Sequence, residues 1–328
     1  AVGVSARFTG QIHDSTITSF STIGAYQLWL GEEKNTVVTG ELSLSQFPSI
    51  AFSWLVYPFS SRLFVETGLR YAQLPRYFFN QASIDALYAH QVVSAGVSVR
   101  QPLYERLALN LALFGSTNSI DHRYGRILLP NESWIRYGAV AAVDLDTLDR
   151  VVSPRQGQRI RVSLTQSLYD DLDASMTLDG VVDVYQSIGR RFVINPRLEG
   201  TTLLFGTMRE IEKPSLGSRF VQHGYYQQEI RGDNVLSAGL GLRVRAGTLP
   251  LGLGDELYVQ LAANAATSWE QATLTNPEDL EVLAGAGLGL VANTTVGEIS
   301  LSMGLNRDLR PSAFLSLRTT SPLDDQPW

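Results

Sequence analysis

Leu236-Ser237-Ala238-Gly239-Leu240-Gly241-Leu242-Arg243-Val244-Arg245 sets the fold class. Apolar residues occupy the even positions, and small or charged residues the odd ones. A strand turns successive side chains to opposite faces, whereas a helix would need apolar recurrence at three and four. The same period recurs at Leu107, Leu109, Leu111 and Leu113 against Ala108, Asn110 and Ala112, and again at Ile299, Leu301, Met303 and Leu305. Sixteen such segments centre near residues 7, 25, 41, 54, 66, 93, 111, 140, 163, 181, 198, 240, 261, 286, 302 and 315. Their cores run to about 9–11 residues, the length of a tilted strand crossing a bilayer. Strands of soluble sandwiches usually run to only about 5–6.

Connections alternate in length. Short ones are expected at Tyr57–Ser61, Arg150–Gln158, Ser187–Arg190, Gly247–Gly254 and Asn293–Gly297, and long ones at Leu74–Ile84, Ser116–Glu132, Thr207–Gly232 and Ser268–Asp279. Tight turns at one rim and long loops at the other are the outer-membrane pattern. The expectation is an all-β, 16-stranded antiparallel transmembrane β-barrel, one domain over residues 1–328. A soluble barrel or sandwich fits the same alternation; strand length and loop asymmetry favour the membrane form.

Composition narrows the function. The chain has 328 residues, 44% hydrophobic and 18% charged, and its mean hydropathy is zero. No run approaches the length of a transmembrane helix. Without cysteine there is no disulfide scaffold, thiolate metal site or cysteine nucleophile. A net charge of −6 and a pI near 5.3 argue against nucleic acid as a partner. Lys34 and Lys213 are the only lysines among 26 cationic residues. Arginine pairs well with carboxylates on a crowded interior wall. The start, Ala1-Val2-Gly3-Val4, lacks the basic and apolar segments of a signal peptide, so a mature protein or an excised domain is expected.

Charges of both signs share the face opposite the leucines: Asp144 with Asp146, Arg159 with Arg161, and Arg243 with Arg245. Acids descend one strand and arginines ascend the next across Ser153-Pro154-Arg155-Gln156-Gly157, so cross-strand pairing in a lumen charge ladder is expected. Tyr26, Trp29, Trp54, Tyr57, Tyr71, Trp134, Tyr137 and Trp269 lie near segment ends, where interfacial girdles form.

Catalysis is not expected. His13, His90, His122 and His223 lie far apart and show no metal-ligand spacing, and G-x-S-x-G is absent. His13-Asp14-Ser15 reads as a loop. His90 shares its parity with Tyr88, Ser94 and Ser98, which faces the lumen, whereas a lipase on a barrel would need a lipid-facing histidine. No metal and no cofactor are expected.

Three stretches carry a resemblance: Asp149 through Gly157; the long connection with Gln222-His223-Gly224-Tyr225, then Arg231-Gly232; and Thr294-Thr295-Val296-Gly297-Glu298-Ile299-Ser300-Leu301. Together, over roughly residues 135–320, they resemble the bacterial surface-antigen superfamily of outer-membrane assembly and secretion barrels. They match its D-x-x-x-x-P-x-x-G hairpin, its V-R-G-F/Y sixth loop, and its T-P-V-G-P-L-R-L turn with both prolines lost. The resemblance implies a sixth loop folded into the lumen. The family's loop arginine and its strand-thirteen aspartate fall on His223 and Asn264, so both members of an ion pair are neutral here. Losing only one would strand a buried charge. A neutral His223–Asn264 hydrogen bond is therefore the expected lock, with Arg231 pairing a lumen acid as a substitute.

The loop pattern looks closest to barrels fused to patatin-like phospholipases, the type Vd autotransporters. This implies a Gram-negative outer-membrane translocator that secretes or displays its own amino-terminal passenger, with a weak seam between the first strand and a short last one near Pro311–Thr319. Expected partners are outer-membrane lipid, the passenger or periplasmic domain, and a possible homodimer. The barrel of an assembly factor and a passive diffusion porin are the alternatives, and a barrel enzyme is the remaining one.

Overall fold

The computed structural model describes the backbone of residues 2–13, 16–30, 36–45, 47–56, 63–80, 83–150, 153–216, 222–226, 228–250, 253–270, 280–295 and 297–318, and among these the side chains of residues 38, 40 and 47–315. The expected turn at Tyr57–Ser61, residues 217–221 of the long connection and residues 271–279 lie outside the described residues.

Alternation becomes antiparallel sheet throughout. In chain order the strands are β1 (Val2–His13), β2 (Thr16–Leu30), β3 (Thr36–Ser45), β4 (Ser49–Val56), β5 (Phe64–Asn80), β6 (Ser83–Tyr104), β7 (Leu107–Gly125) and β8 (Glu132–Asp146). They continue as β9 (Gly157–Tyr169), β10 (Ser175–Ile188), β11 (Phe192–Phe205), β12 (Asn234–Thr248), β13 (Gly254–Trp269), β14 (Leu283–Thr294), β15 (Gly297–Asn306) and β16 (Pro311–Arg318). Each pairs with its sequence neighbours, β16 also pairs with β1 from Phe8↔Leu317 to Ile12↔Ala313, and the order is that of a closed barrel. Among the described residues the one helical turn is the 3-10 turn Glu210–Glu212.

The pleat separates two surfaces. On β12 and β15, Leu240, Leu301 and Met303 are exposed on the outside, whereas Ser237, Arg243, Glu298 and Asn306 are buried inside. Trp54 and Tyr137 lie on the exposed surface, as girdle residues should. Trp134 does not: it is 2% exposed and packs inside with Ala86, Tyr88, Ile120 and Ile211.

Two expected long loops are strand instead. Residues 74–80 and 83–84 continue the β5–β6 ladder through Leu74↔His90 and Pro75↔Ala89 to Asn80↔Ser83. Most of 116–132 extends β7, which pairs with β6 as far as Ala86↔Gly125. The polar composition of 116–125 follows from strands that outrun the rest of the wall. β4 pairs with β5 only as far as Ser49↔Ala72. One rim is thus tall from β5 to β7 and low at the eight-residue strands β4 and β16.

At the opposite rim the β8–β9 turn reaches across the opening. Asp149 Oδ1 accepts the backbone N–H groups of Arg155 (2.9 Å) and Gln156 (3.1 Å), which shapes the turn. The Arg155 guanidinium then donates to Glu256 on β13 at 3.2 Å, and Ser153 Oγ accepts from Arg243 on β12 at 3.3 Å. Asp149→Ala removes both turn bonds. It should lower stability by about 1 kcal/mol, read as a lower urea midpoint with an unchanged slope.

Candidate functional site

The connection between β11 and β12 lies against the inward face of the wall, fastened at three places. At its base, Arg209 bridges Glu132 and Asp171 and lies 4.5 Å over the ring of Trp134. Trp134 Nε1 in turn donates to Glu212 at 3.3 Å. Lys213 sits among Glu210 (2.8 Å), Glu270 (2.6 Å) and Asp233 (3.5 Å). The segment also pairs with itself, through the Ser215↔Arg231 bridge and the Leu216 N–H to Ile230 carbonyl bond of 2.9 Å. Gly232 N–H reaches the Pro214 carbonyl at 3.3 Å.

At its apex the segment meets β12 to β16. Asn264 on β13 holds two groups at once: Oδ1 accepts the His223 backbone N–H at 3.0 Å, and Nδ2 donates to Gln222 Oε1 at 2.8 Å. Gln222 Nε2 donates onward to Ser237 Oγ on β12. Gly224 N–H donates to Ser312 Oγ on β16 at 2.7 Å, and its carbonyl accepts from Arg310 Nε at 3.0 Å. Gly224 has φ +80°, and a Cβ there would collide with Asn306. The His223 side chain is 2% exposed and lies over Gly287 and Gly304, while its carbonyl lies over Gly285. A Cβ on any of these three wall glycines would overlap His223.

The third fastening is to β5 and its neighbours. Tyr226 stacks on Phe79 with ring centroids 5.3 Å apart. Gln228 Nε2 donates to the Pro75 carbonyl at 2.9 Å, and Gln228 Oε1 accepts the Tyr77 N–H at 3.2 Å. Glu229 accepts from the Tyr226 N–H at 2.8 Å and pairs with Arg310. Beside the docked segment a polar cavity of about 310 Å³ remains, bounded by Arg161, Thr165, Asp179, Thr201 and Ser215.

The Omp85 superfamily domain matches residues 56–309. The chain belongs to the Omp85 superfamily. Among solved structures, this Omp85 barrel is similar to BamA from Haemophilus ducreyi lacking POTRA domains 1–3, at 14% identity and TM-score 0.72, covering 96% of this chain and 70% of that one. It is also similar to CdiB from Acinetobacter baumannii, at 10% identity and TM-score 0.67, covering 96% and 60%, and to CdiB from Escherichia coli, at 13% and 0.62, covering 96% and 62%. These likenesses are of fold, and the chain spans about 60% of the length of either CdiB protein. No curated protein matches. The family and its barrel neighbours place the chain as an integral protein of the bacterial outer membrane.

In this Omp85 barrel the expected lock residues meet, but through other atoms. The bond to Asn264 comes from the His223 main chain, because the imidazole is turned into the glycine pocket. Arg231 is no substitute lock: Nη2 donates to the Ile211 carbonyl at 2.8 Å and the guanidinium lies 4.8 Å over Phe78, with no acid in salt-bridge range among the described residues. Tyr225 packs with Leu216 and Ile230 and reaches the Ala284 carbonyl at 3.4 Å.

Of the charge ladder, Arg161 pairs with Asp144 at 3.6 Å, and Arg159 stands opposite Asp146 in register. Arg243 pairs instead with Glu298 on β15 at 3.1 Å and with Gln260 on β13 at 3.0 Å. His90 is buried and linked to Asn118 at 3.2 Å, which donates to Ser116. The serine thus sits on the amide, not on the imidazole that would have to activate it. Gln228, Arg310, Ser312 and the glycines 285, 287 and 304 were not singled out by sequence. The glycine lane in β14 was the available signal, since alternating glycines mark close approach of another backbone.

Asn264→Leu removes an acceptor and a donor together and takes away the partners of the His223 N–H and Gln222 Oε1. It should raise protease cleavage within residues 215–231 by about tenfold or more, with the barrel remaining heat-modifiable on gels. Burial, then the Arg197 guanidinium, pushes the His223 imidazole down to about 4. Its other neighbours, Asn264, Ser312, Phe314 and the wall glycines, carry no charge. Docking therefore excludes a proton that the released segment binds at the ordinary histidine value. The stabilisation is complete above about pH 6.5 and falls by up to about tenfold per unit as pH drops toward 4. Protease cleavage of the segment should follow that curve, and His223→Gln should flatten it.

Proposed function

We propose that this barrel exports or anchors a polypeptide passenger, a patatin-like lipase fused on its amino-terminal side, in the manner of a type Vd autotransporter. In this reading sixteen strands span the membrane, residues 206–233 form the sixth external loop inside the lumen, and the barrel itself does no chemistry. The observation that carries it is the neutral bonding at His223 and Asn264. Gln222, His223 and the Gly224 N–H are held by amide and hydroxyl groups of Asn264, Ser237 and Ser312, and Arg310 adds one charged contact at the Gly224 carbonyl. Neutral bonds between neighbours exchange with water at little net cost, whereas breaking a buried ion pair costs several kcal/mol, on the order of 3–5. A segment held this way can yield to a passing chain and return. The polar cavity beside it supplies a wall of hydroxyls and charges of both signs.

The fold likeness to BamA supports a second reading, the barrel of an outer-membrane assembly factor. Outer-membrane lipid is the surrounding partner in both, and a homodimer remains compatible with the outward leucines. Two measurements separate the readings. A patatin-like lipase fused ahead of Val2 should become protease-accessible on intact cells with the barrel and stay inaccessible without residues 213–232. Depleting the protein should leave other outer-membrane barrels at normal abundance; their loss would favour the assembly factor. Deleting residues 213–232 should also raise single-channel conductance, and an unchanged conductance would point to a passive porin.

A further inference from the structure

β5 stands above its neighbour by residues 73–80, which at about 3.3 Å per residue project roughly 26 Å beyond the β4 pairing. On one side this projection is zipped to β6 as far as Asn80↔Ser83. On the other, the ladder stops: Gln73 N–H donates to the Pro48 carbonyl at 2.9 Å, and β4 begins at Ser49. Above that point the edge is engaged by a side chain. The Gln228 amide donates to the Pro75 carbonyl and accepts the Tyr77 N–H. That is the bond pattern by which one residue of a parallel strand would bridge positions 75 and 77. Gln228 holds φ +70° in doing so, a left-handed conformation uncommon for a residue with a side chain.

We propose that the projecting edge of β5 is a docking edge for an extended polypeptide chain, and that the Gln228 amide occupies it as a stand-in for a peptide group. An extended chain adds to a sheet edge through main-chain hydrogen bonds and so needs no particular sequence. The edge stands beside the low wall formed by β4 and β3, and under the export reading a chain passing over that wall would meet it. The inference rests on the export reading for the source of that chain, but the edge is testable without export.

The absence of cysteine makes the test clean. Asn80→Cys places one thiol at the exposed tip of the projection, and Glu105→Cys places one at the opposite rim as a control. Purified barrel in detergent is mixed with a labelled ten-residue peptide of alternating threonine and valine carrying one cysteine, and disulfide cross-linking is followed under mild oxidation. Cross-linking at position 80 should rise about tenfold when Gln228→Ala is added, and should vanish with a peptide whose backbone amides are N-methylated. Equal cross-linking with and without Gln228, equal cross-linking by the N-methylated peptide, or equal labelling at position 105 would each overturn the proposal. If position 80 behaves as expected while the fused lipase stays inside intact cells, the export reading fails and the docking edge stands. If the lipase is exported without edge cross-linking, the docking edge fails and the export reading stands.

Discussion

A backbone amide in hydrocarbon has no water to bond, and the architecture of this protein follows from that constraint. Strands can cross a bilayer only when each edge finds a partner, so the sheet curls until its last strand meets its first. Closure then forces every second side chain inward. The inside becomes a confined space that must be filled, solvated or both, while the outside needs only to be apolar. Leucine at Leu240 and Leu301 and arginine at Arg243 are two answers to one geometry.

Large wall side chains such as Trp134, Tyr88 and Tyr258 fill part of the inside, and a loop fills the side along β14 and β15. A lumen lined by bulky residues would be a permanent plug. Here the wall of β14 and β15 is cut back to glycine, and a chain segment enters the space, bringing its own backbone groups with it. Those groups need partners, and Asn264 and Ser312 provide them. Stronger fastenings lie at the base of the segment, where Arg209 and Lys213 are held by carboxylates. At its apex Gln222 and His223 are held by neutral groups, and Arg310 ties the Gly224 carbonyl to Glu229. The arm is thus pinned by several carboxylates at its base and more lightly at its tip, which describes an arm that pivots rather than one that detaches.

The strand positions were legible because alternation is a local property: segments centred on residues 93, 111, 240 and 261 fall inside β6, β7, β12 and β13. Rim height was not legible, because residues 116–125 are polar enough to read as a loop, and residues 74–84 break the alternation with Pro75 and the run Tyr77-Phe78-Phe79. Their pairing depends on each other rather than on any lipid-facing pattern. The motif pointed to the docked segment and paired Asn264 with His223, but it did not say that the main chain of His223 would make the bond. Residue types fix which groups are available, but the direction of a side chain in a folded-back loop depends on where the wall leaves room. Arg231 shows the same limit: its charge suggested an acid, and its position gave it a carbonyl and an aromatic face. Trp134 reads as a girdle residue by its place near a strand end, and only its register on β8 turns it inward.

The three glycines under His223 act as a mould. Their shape is meaningful only against a segment about sixty to eighty residues earlier in the chain, so each half of the fit records the other. A change at His223 to a smaller residue would leave an unfilled hollow in the wall, and a side chain added to the wall would evict the arm. The two stretches are therefore bound to diverge together, and transplanting the arm into another barrel of this family would fail unless the wall that casts it went too.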